Sequence, residues 1–146
     1  WKTYSDSRRS LALEANRSDW KLARTIFIAD TDEEAINRAK SNSISKAYKY
    51  LASAIQKGPG LGIMKSDPNQ PDSEITEDYL IDKLVIAGSV DTVIDRLHEI
   101  TEFLGPFGTL INMSFDWVDE NDKKSWLESM SRYRNEVIPK LSSHLN

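Results

Sequence analysis

Along the chain, the spacing of apolar residues alternates between a strand pattern and a helix pattern. Three short runs are rich in apolar, β-branched and aromatic side chains, which predicts strands; they lie at residues 21–29, 84–87 and 109–115. After each run, apolar residues recur every three or four positions, which predicts long helices; these cover residues 32–56, 89–104 and 119–141. Less regular patterns predict two more helices, at residues 4–16 and 76–83.

Capping side chains mark the starts of these helices. Thr31 precedes the first long helix and Glu34 lies three positions later, which is the spacing of a capping box. Ser89 stands in the same place before the next long helix. The short helix at residues 76–83 is capped by Ser73 or by Thr76.

The alternation of strands and helices predicts an α/β fold with a parallel sheet. The run at residues 84–87 is entirely apolar, as expected for a strand buried on both faces. Three strands alone leave both edges of a sheet uncovered, so they either join further strands or belong to a larger fold. In parallel α/β folds, ligands bind at the carboxyl ends of the strands.

Candidate binding residues therefore follow the predicted strands. Gly88 and Ser89 come after the second strand, where a helix N-terminus can hold an anion, although a simple capping role for Ser89 is the favoured interpretation. Asp116 and Trp117 end the third strand and are candidates for lining a ligand pocket. The favoured interpretation is that Trp117 packs on the last helix while Asp116 caps it.

Other polar residues have structural interpretations. Asn112 and Ser114 share one side of the third strand, and a polar layer of the core is favoured over ligand contact because buried polar groups need partners. Asp30 and Asp32 follow the first strand, where capping of the next helix is favoured over acid–base chemistry. No residue is predicted as a catalytic acid or base.

Residues 57–75 form the least regular segment and are predicted to be a loop or lid insertion. The segment holds three glycines and three prolines, and a loop of this length within a compact domain is usually functional or mobile. One hypothesis is a lid over a pocket, with Lys65 reaching an anionic group. The alternative is a disordered surface insertion.

Composition excludes several classes of site. The formal net charge of −4 and the absence of a basic cluster argue against nucleic-acid binding. The chain has no cysteine, which rules out disulfides and thiolate metal sites, and only His98 and His144 could supply imidazole ligands. The expected location is cytoplasmic, without membrane contact. Because the chain starts at Trp1 rather than at a methionine, a processed or truncated polypeptide is expected.

Several segments together resemble a known family. The sequences LVIAGSVDTVID at residues 84–95, LINMSFDW at 110–117 and EVIPKL at 136–141 resemble the C-terminal part of luciferase-like flavin-dependent monooxygenases, the family of bacterial luciferase and alkanal monooxygenase. RTIFIA at residues 24–29, followed by TDEEA at 31–35, resembles the strand before a long helix in the same family. The chain departs from the family at Val90, where proline is common.

The resemblance implies that the chain is the C-terminal portion of a (β/α)8 TIM barrel and supplies about three parallel strands with long helices. It implies a parent enzyme that uses reduced FMN, supplied by a separate flavin reductase, and dioxygen to oxidise a small organic substrate. In this family, earlier strands hold the flavin and much of its phosphate site, and the usual dimer surface lies in the N-terminal half. The fragment is therefore expected to be inactive alone and to need the remaining N-terminal barrel half.

Two alternatives remain open from the sequence. The first is a deazaflavin-dependent oxidoreductase of the same barrel superfamily, which transfers hydride without dioxygen. The second is a non-catalytic α/β module that binds a partner or a small anion. A homo-oligomer is a further expectation, because strand edges that are exposed in a fragment promote self-association.

Overall fold

The computed structural model describes residues 1–144 of the protein, with the side chains of residues 1–141. Three strands alternate with helices: α1 (Lys2–Ser10), β1 (Lys21–Ile28), α2 (Asp32–Ala39), α3 (Ser43–Gln56), α4 (Glu77–Leu84), β2 (Val85–Gly88), α5 (Val90–Leu104), β3 (Thr109–Asn112), α6 (Glu120–Arg132) and α7 (Ile138–His144). A π-helical turn, Tyr133–Val137, joins α6 to α7. Short 3-10 turns occur at Arg17–Asp19, Leu61–Met64 and Asp72–Glu74.

The three strands form one parallel sheet in the order β2-β1-β3, which confirms the predicted α/β class and the parallel sheet. The two halves of β1 have different neighbours. Residues 25–28 pair with β2, whereas residues 21–24 pair with β3. Each outer strand therefore covers only half of the central one.

Helices cover both faces of this sheet. Phe27 packs with Tyr48 and Trp126 in an apolar cluster on one face. Ile26 and Ile28, whose side chains point to the opposite face, pack with α5 and the C-terminal helices in a second cluster. Consecutive strands are neighbours in an eight-stranded barrel, but here the first strand is central, as in doubly wound sheets.

The single helix predicted over residues 32–56 is wrong, because the chain breaks between α2 and α3. Asn42 causes the break: its side-chain oxygen accepts the Ile44 N–H at 2.9 Å and starts a new helix. The buried Asp122 carboxylate on α6 accepts the Ser43 N–H at 3.2 Å. Side chains that form hydrogen bonds with nearby backbone groups compete with a continuous helix. The spacing of apolar residues does not reveal this competition, so it did not predict the break.

Other element boundaries also differ from those predicted. The first helix stops at Ser10 rather than at residue 16, and Ala12 adopts a positive φ of 55°. The third strand ends at Asn112 rather than at residue 115. The predicted caps at Thr31 and Ser89 are confirmed, and the short helix is capped by Thr76 rather than Ser73.

The segment before β1 holds the start of β3 in place. Arg17 Nη1 donates to the carbonyl oxygens of Leu104 and Pro106, at 2.6 and 3.0 Å, at the end of α5. The guanidinium lies 4.4 Å from the ring centre of Trp1, within cation–π distance. At Gly108, a Cβ would lie 1.7 Å from the Ser18 carbonyl oxygen, so only glycine fits this approach.

Residues 57–75 are anchored to the rest of the fold. Leu61 and Met64 are buried in the cluster around Phe27. Tyr79 of α4 accepts the Ser66 N–H at 2.7 Å. Lys65, which was predicted to reach an anionic group, instead pairs with Asp72 at 2.6 Å inside the same segment.

Candidate functional site

The carboxyl ends of the three strands lead into Asp30, Ser89 and Met113. Because the strands are parallel, these ends lie at the same end of the sheet, where ligands bind in α/β folds. Arg132 of α6 forms an ion pair with Asp30 there. The six predicted site residues lie at or after the ends of β2 and β3, but the structure gives them different roles.

Ser89 caps α5 and also contacts a carboxylate from another helix. Its Oγ accepts the Thr92 N–H at 3.4 Å, as the favoured interpretation predicted. Asp32 Oδ1 accepts the Ser89 N–H at 2.7 Å, and Asp32 Oδ2 accepts the Thr92 hydroxyl at 2.9 Å. The Ser89 N–H and then the Thr92 hydroxyl lower the pKa of Asp32 below its ordinary value, against a small opposing effect of burial.

The N-terminus of α5 therefore holds an anion that the chain itself supplies. Gly88 fits closely beside it, because a Cβ there would lie 2.9 Å from Asp32 Oδ1 and 2.8 Å from Thr92 Cγ2. This link joins residues 57 positions apart in the sequence. Sequence reasoning assigned Asp32 to local capping and missed the link, because no short motif records such a separation.

Asn112 is the last residue of β3, and its side chain provides a hydrogen-bond acceptor to the edge of β1 beyond the paired residues. Its Oδ1 accepts the Ile26 N–H at 3.0 Å. Two residues further along, Ser129 Oγ of α6 accepts the Ile28 N–H at 2.8 Å. Two side chains thus take the place of backbone acceptors from a neighbouring strand. For Asn112, this is the kind of structural partner that the sequence favoured over ligand contact.

The segment after β3 is exposed. Ser114 and Asp116 lie at the surface, and Trp117 is 47% exposed with Lys123 Nζ 5.5 Å from its ring centre. Only Phe115 turns inward, where it packs edge-on against Tyr48 at 5.9 Å between ring centres. Exposed apolar residues around the end of β3 form what we call the apolar strip: Ile111, Met113, Trp117 and Val118.

Two polar groups that the sequence did not single out are buried behind this face. Tyr48 OH lies 3.1 Å from Thr25 Oγ1, and burial raises the pKa of Tyr48 above its ordinary value. Trp126 donates its indole N–H to Ser43 Oγ at 2.8 Å. The first contact holds α3 against β1 and the second joins α6 to α3. Neither group lines any of the cavities described below.

Five cavities, of about 210 to 400 Å³, lie along the described residues. One of about 360 Å³ borders Val85 and Ala87 of β2 and is also lined by Asp32 and Arg96. None of the five is lined by the predicted site residues, which are Gly88, Ser89, Asn112, Ser114, Asp116 and Trp117. Small-molecule sites enclose most of their ligand. None of the six residues therefore lines an enclosed site among these five cavities.

Within residues 1–144, no group of three or more histidine, aspartate or glutamate side chains is placed to hold a metal ion. Over the same residues, no helix has both the length and the apolar character needed to span a membrane.

Comparison with known proteins relates the chain to one class of enzymes. No model of a known protein family matches it. It is 30% identical over 145 residues to 2,5-diketocamphane 1,2-monooxygenase 1 of Pseudomonas putida, covering 97% of this chain and 39% of that protein. It is also 30% identical over 146 residues to 3,6-diketocamphane 1,6-monooxygenase of the same organism, covering 97% and 37%.

A solved structure supports the same relationship. The oxygenating constituent of 3,6-diketocamphane monooxygenase from Pseudomonas putida, a type II Baeyer–Villiger monooxygenase in complex with FMN, superposes with a TM-score of 0.73 at 28% identity. The match covers 96% of this chain and 38% of that one. The chain thus spans about two-fifths of the length of its relatives. Over nearly its whole length, it is homologous to luciferase-like, FMN-dependent monooxygenases of the diketocamphane type.

Proposed function

We propose that the chain is the C-terminal part of a luciferase-like monooxygenase that uses reduced FMN and dioxygen to oxidise an organic substrate. One observation carries the proposal: 30% identity extends over 97% of the chain to a diketocamphane monooxygenase. The FMN in the similar solved structure supports FMN as the cofactor. In enzymes of this kind the flavin carries the oxygen chemistry, while the protein binds and orients the reactants.

The chain by itself is inactive under this proposal. None of the five cavities described above is lined by the predicted site residues. The remaining N-terminal barrel half would supply the other strands and most of the pocket. A separate reductase would provide the reduced flavin, and the working location would be the cytoplasm.

The barrel also implies a different place for β3 in the whole protein. Consecutive strands are neighbours in a barrel, so β3 would pair with β2 rather than with β1. Residues 57–75 would remain an insertion within the same domain.

Among the six predicted site residues, we assign pocket lining to Asp116 and Trp117. Asp116 has no hydrogen bond or ion pair with any described residue, and Trp117 is half exposed at the ligand end of the sheet. Gly88, Ser89 and Asn112 already make structural contacts within the chain. Ser114 is exposed and stays a weaker candidate.

A chimera tests the proposal. The matching segment of 3,6-diketocamphane 1,6-monooxygenase is replaced by this chain, and FMN binding and oxygen consumption with reduced FMN and a diketocamphane are measured. We expect the chimera to bind FMN and to consume oxygen in step with substrate oxidation. A chimera that folds but binds no FMN would refute the proposal.

Two variants of the chimera address the site residues. Replacing Asp116 with Asn or Trp117 with Ala should weaken substrate turnover by about tenfold or more if these side chains line the pocket. The matched controls are Asp95→Asn and Phe103→Ala, two exposed positions on α5. Equal effects at site and control positions would remove Asp116 and Trp117 from the pocket.

A further inference from the structure

The contact between Asp32 and the N-terminus of α5 lies at the end of the sheet where ligands bind in α/β folds. Asp32 follows β1 and Ser89 follows β2, and these two strands pair directly with each other. Ala29 also donates its N–H to the Gly88 carbonyl at 3.2 Å, which continues the pairing to the ends of both strands. Consecutive strands are neighbours in a barrel as well. The contact therefore uses only residues that this chain supplies and is compatible with a closed barrel.

Asp32 occupies the position of a bound anion. The first N–H groups of a helix have no partner within the helix, and the helix dipole favours negative charge beside them. A phosphate or carboxylate group of a ligand binds at such a position. Here a carboxylate of the chain already accepts the Ser89 N–H at 2.7 Å and the Thr92 hydroxyl at 2.9 Å. An incoming anion would have to displace it.

The charges near this position also disfavour a second anion. Residues 29–37 and 88–95 contain six acidic residues and no lysine or arginine; the acidic residues are Asp30, Asp32, Glu33, Glu34, Asp91 and Asp95. Three of the six form ion pairs with basic residues of α2, α6 and α7. Asp32 is ionised at neutral pH, because the Ser89 N–H and the Thr92 hydroxyl lower its pKa. Like charges repel, so a neutral ligand is favoured here over an anionic one.

The place of this contact in the fold gives it a consequence for ligand binding. If the chain supplies the last three of eight strands, β2 is the seventh strand of the barrel. Barrels frequently bind a phosphate group with the loops that follow strands seven and eight. In this chain, Asp32 fills the anion position in the loop after β2.

We propose that Asp32 is a specificity-determining residue, which excludes phosphate and carboxylate groups from the N-terminus of α5 and restricts this part of the ligand end to neutral substrates. The exclusion of anions follows from contacts within this chain. Its consequence for the substrate rests on the proposed monooxygenase function. The two parts therefore have separate tests.

Titration of inorganic phosphate into the purified 146-residue chain tests the exclusion. The backbone amide resonances of Ser89, Val90 and Asp91 are followed by NMR at about pH 7 and constant ionic strength. We expect no saturable change in the wild type up to about 100 mM phosphate, whereas Asp32→Ala should bind phosphate with a Kd of about 10 mM or below. Saturable binding at these amides in the wild type, or its absence in Asp32→Ala, would overturn the proposal.

Three further substitutions separate the charge of Asp32 from its shape. Asp32→Asn keeps an oxygen that can accept the Ser89 N–H but removes the charge, so phosphate should bind, although more weakly than to Asp32→Ala. Asp32→Glu keeps the carboxylate and should exclude phosphate as the wild type does. The matched control is Asp95→Ala, which removes an exposed carboxylate from the same helix. If Asp95→Ala gains the same binding, net charge rather than Asp32 excludes the anion and the proposal is wrong.

The chimera with 3,6-diketocamphane 1,6-monooxygenase, saturated with FMN, tests the consequence for the substrate. In the Asp32→Ala chimera, about 10 mM phosphate should raise the KM for a diketocamphane about twofold with kcat unchanged, because the bound anion competes with the substrate. The chimera with Asp32 intact should show no such change. An unchanged KM in the Asp32→Ala chimera would overturn the restriction on the substrate. A chimera that binds no FMN would instead refute the proposed function, and the NMR titration alone would then decide the exclusion of anions.

Discussion

The two halves of the central strand β1 differ in how they are covered. Residues 25–28, beside β2, are buried on both faces, and their side chains pack against α3, α5 and α6. Residues 21–24, beside β3, alternate between exposed and half-buried, and β3 shows the same alternation. One strand thus passes from a well-packed sheet into a two-stranded ribbon.

Different interactions hold the two halves together. The β2 half depends on a continuous apolar core and on Ser129, which accepts a backbone N–H at the edge of β1. The β3 half depends on loop contacts, chiefly those of Arg17 and Gly108. The β2 half is therefore held by buried side chains, whereas the β3 half leaves the apolar strip exposed and relies on contacts of the preceding loops.

Removing the largest buried side chain should have the greatest effect. Trp126 is fully buried, packs edge-on against Phe27 and donates to Ser43. We expect Trp126→Ala to lower the free energy of unfolding by about 3–5 kcal/mol, measured by urea denaturation. In the other half, Trp117→Ala should cost less than about 1 kcal/mol because Trp117 is half exposed. If the two substitutions lower the free energy of unfolding by similar amounts, the two halves of β1 do not differ in packing as described.

In the β3 half, the largest loss of stability should come from disrupting the contact between Gly108 and Ser18. Gly108→Ala places a methyl group 1.7 Å from the Ser18 carbonyl oxygen, so the backbone must shift. We expect a loss of about 2–3 kcal/mol, with faster hydrogen exchange at Ile111 and Met113 than in the β2 half. Gly62→Ala is the control, because nothing lies within 4 Å of its Cβ position. An unchanged exchange rate in β3 would show that the loop contact does not hold this half.

A smaller loss of stability is expected at the edge of β1 that extends past the end of β3. Ser129→Ala removes the acceptor of the buried Ile28 N–H and should cost about 1–2 kcal/mol in thermal or urea denaturation. The matched change Ser114→Ala, at an exposed position, should stay within about 0.5 kcal/mol. If neither substitution lowers the stability of the protein, the side-chain hydrogen bond of Ser129 to this edge of β1 does not stabilise the fold.

Acid should weaken the contact between Asp32 and α5. The pKa of Asp32 is lowered from 3.8 in the folded protein, so the contact stabilises the fold above that pH. The contribution is lost as pH falls through the lowered pKa. The stability difference between the wild type and Asp32→Asn should therefore shrink between about pH 6 and pH 2. The control is Asp95→Asn, an exposed change on α5, for which the stability difference from the wild type should not shrink in this way. If the stability difference for Asp32→Asn stays constant with pH, the proposed contribution of the contact is wrong.

Local rules predicted much of the fold. The three strands, most helices and the caps at Thr31 and Ser89 followed from periodicity and capping chemistry, which depend on residues only a few positions apart. The break at Asn42 was missed because the apolar period continues through it. The end of β3 at Asn112 was missed because strand propensity continues to residue 115, where no neighbouring strand remains to pair with.

The candidate site was less predictable because its contacts are distant in sequence. The links from Asp32 to Ser89 and from Asn112 to Ile26 join residues 57 and 86 positions apart. Neither link has a local motif. The family resemblance, in contrast, was confirmed because it rests on the order of several segments along the whole chain.

The most direct test of the account is a titration of FMN into the purified 146-residue chain, followed by flavin fluorescence, with the chimera as the positive control. We predict that the chimera binds FMN and that the chain alone does not, because under the proposed function the remaining barrel half supplies most of the pocket. Saturable FMN binding by the chain alone, at concentrations similar to those that saturate the chimera, would contradict the claim that the flavin site needs the rest of the barrel.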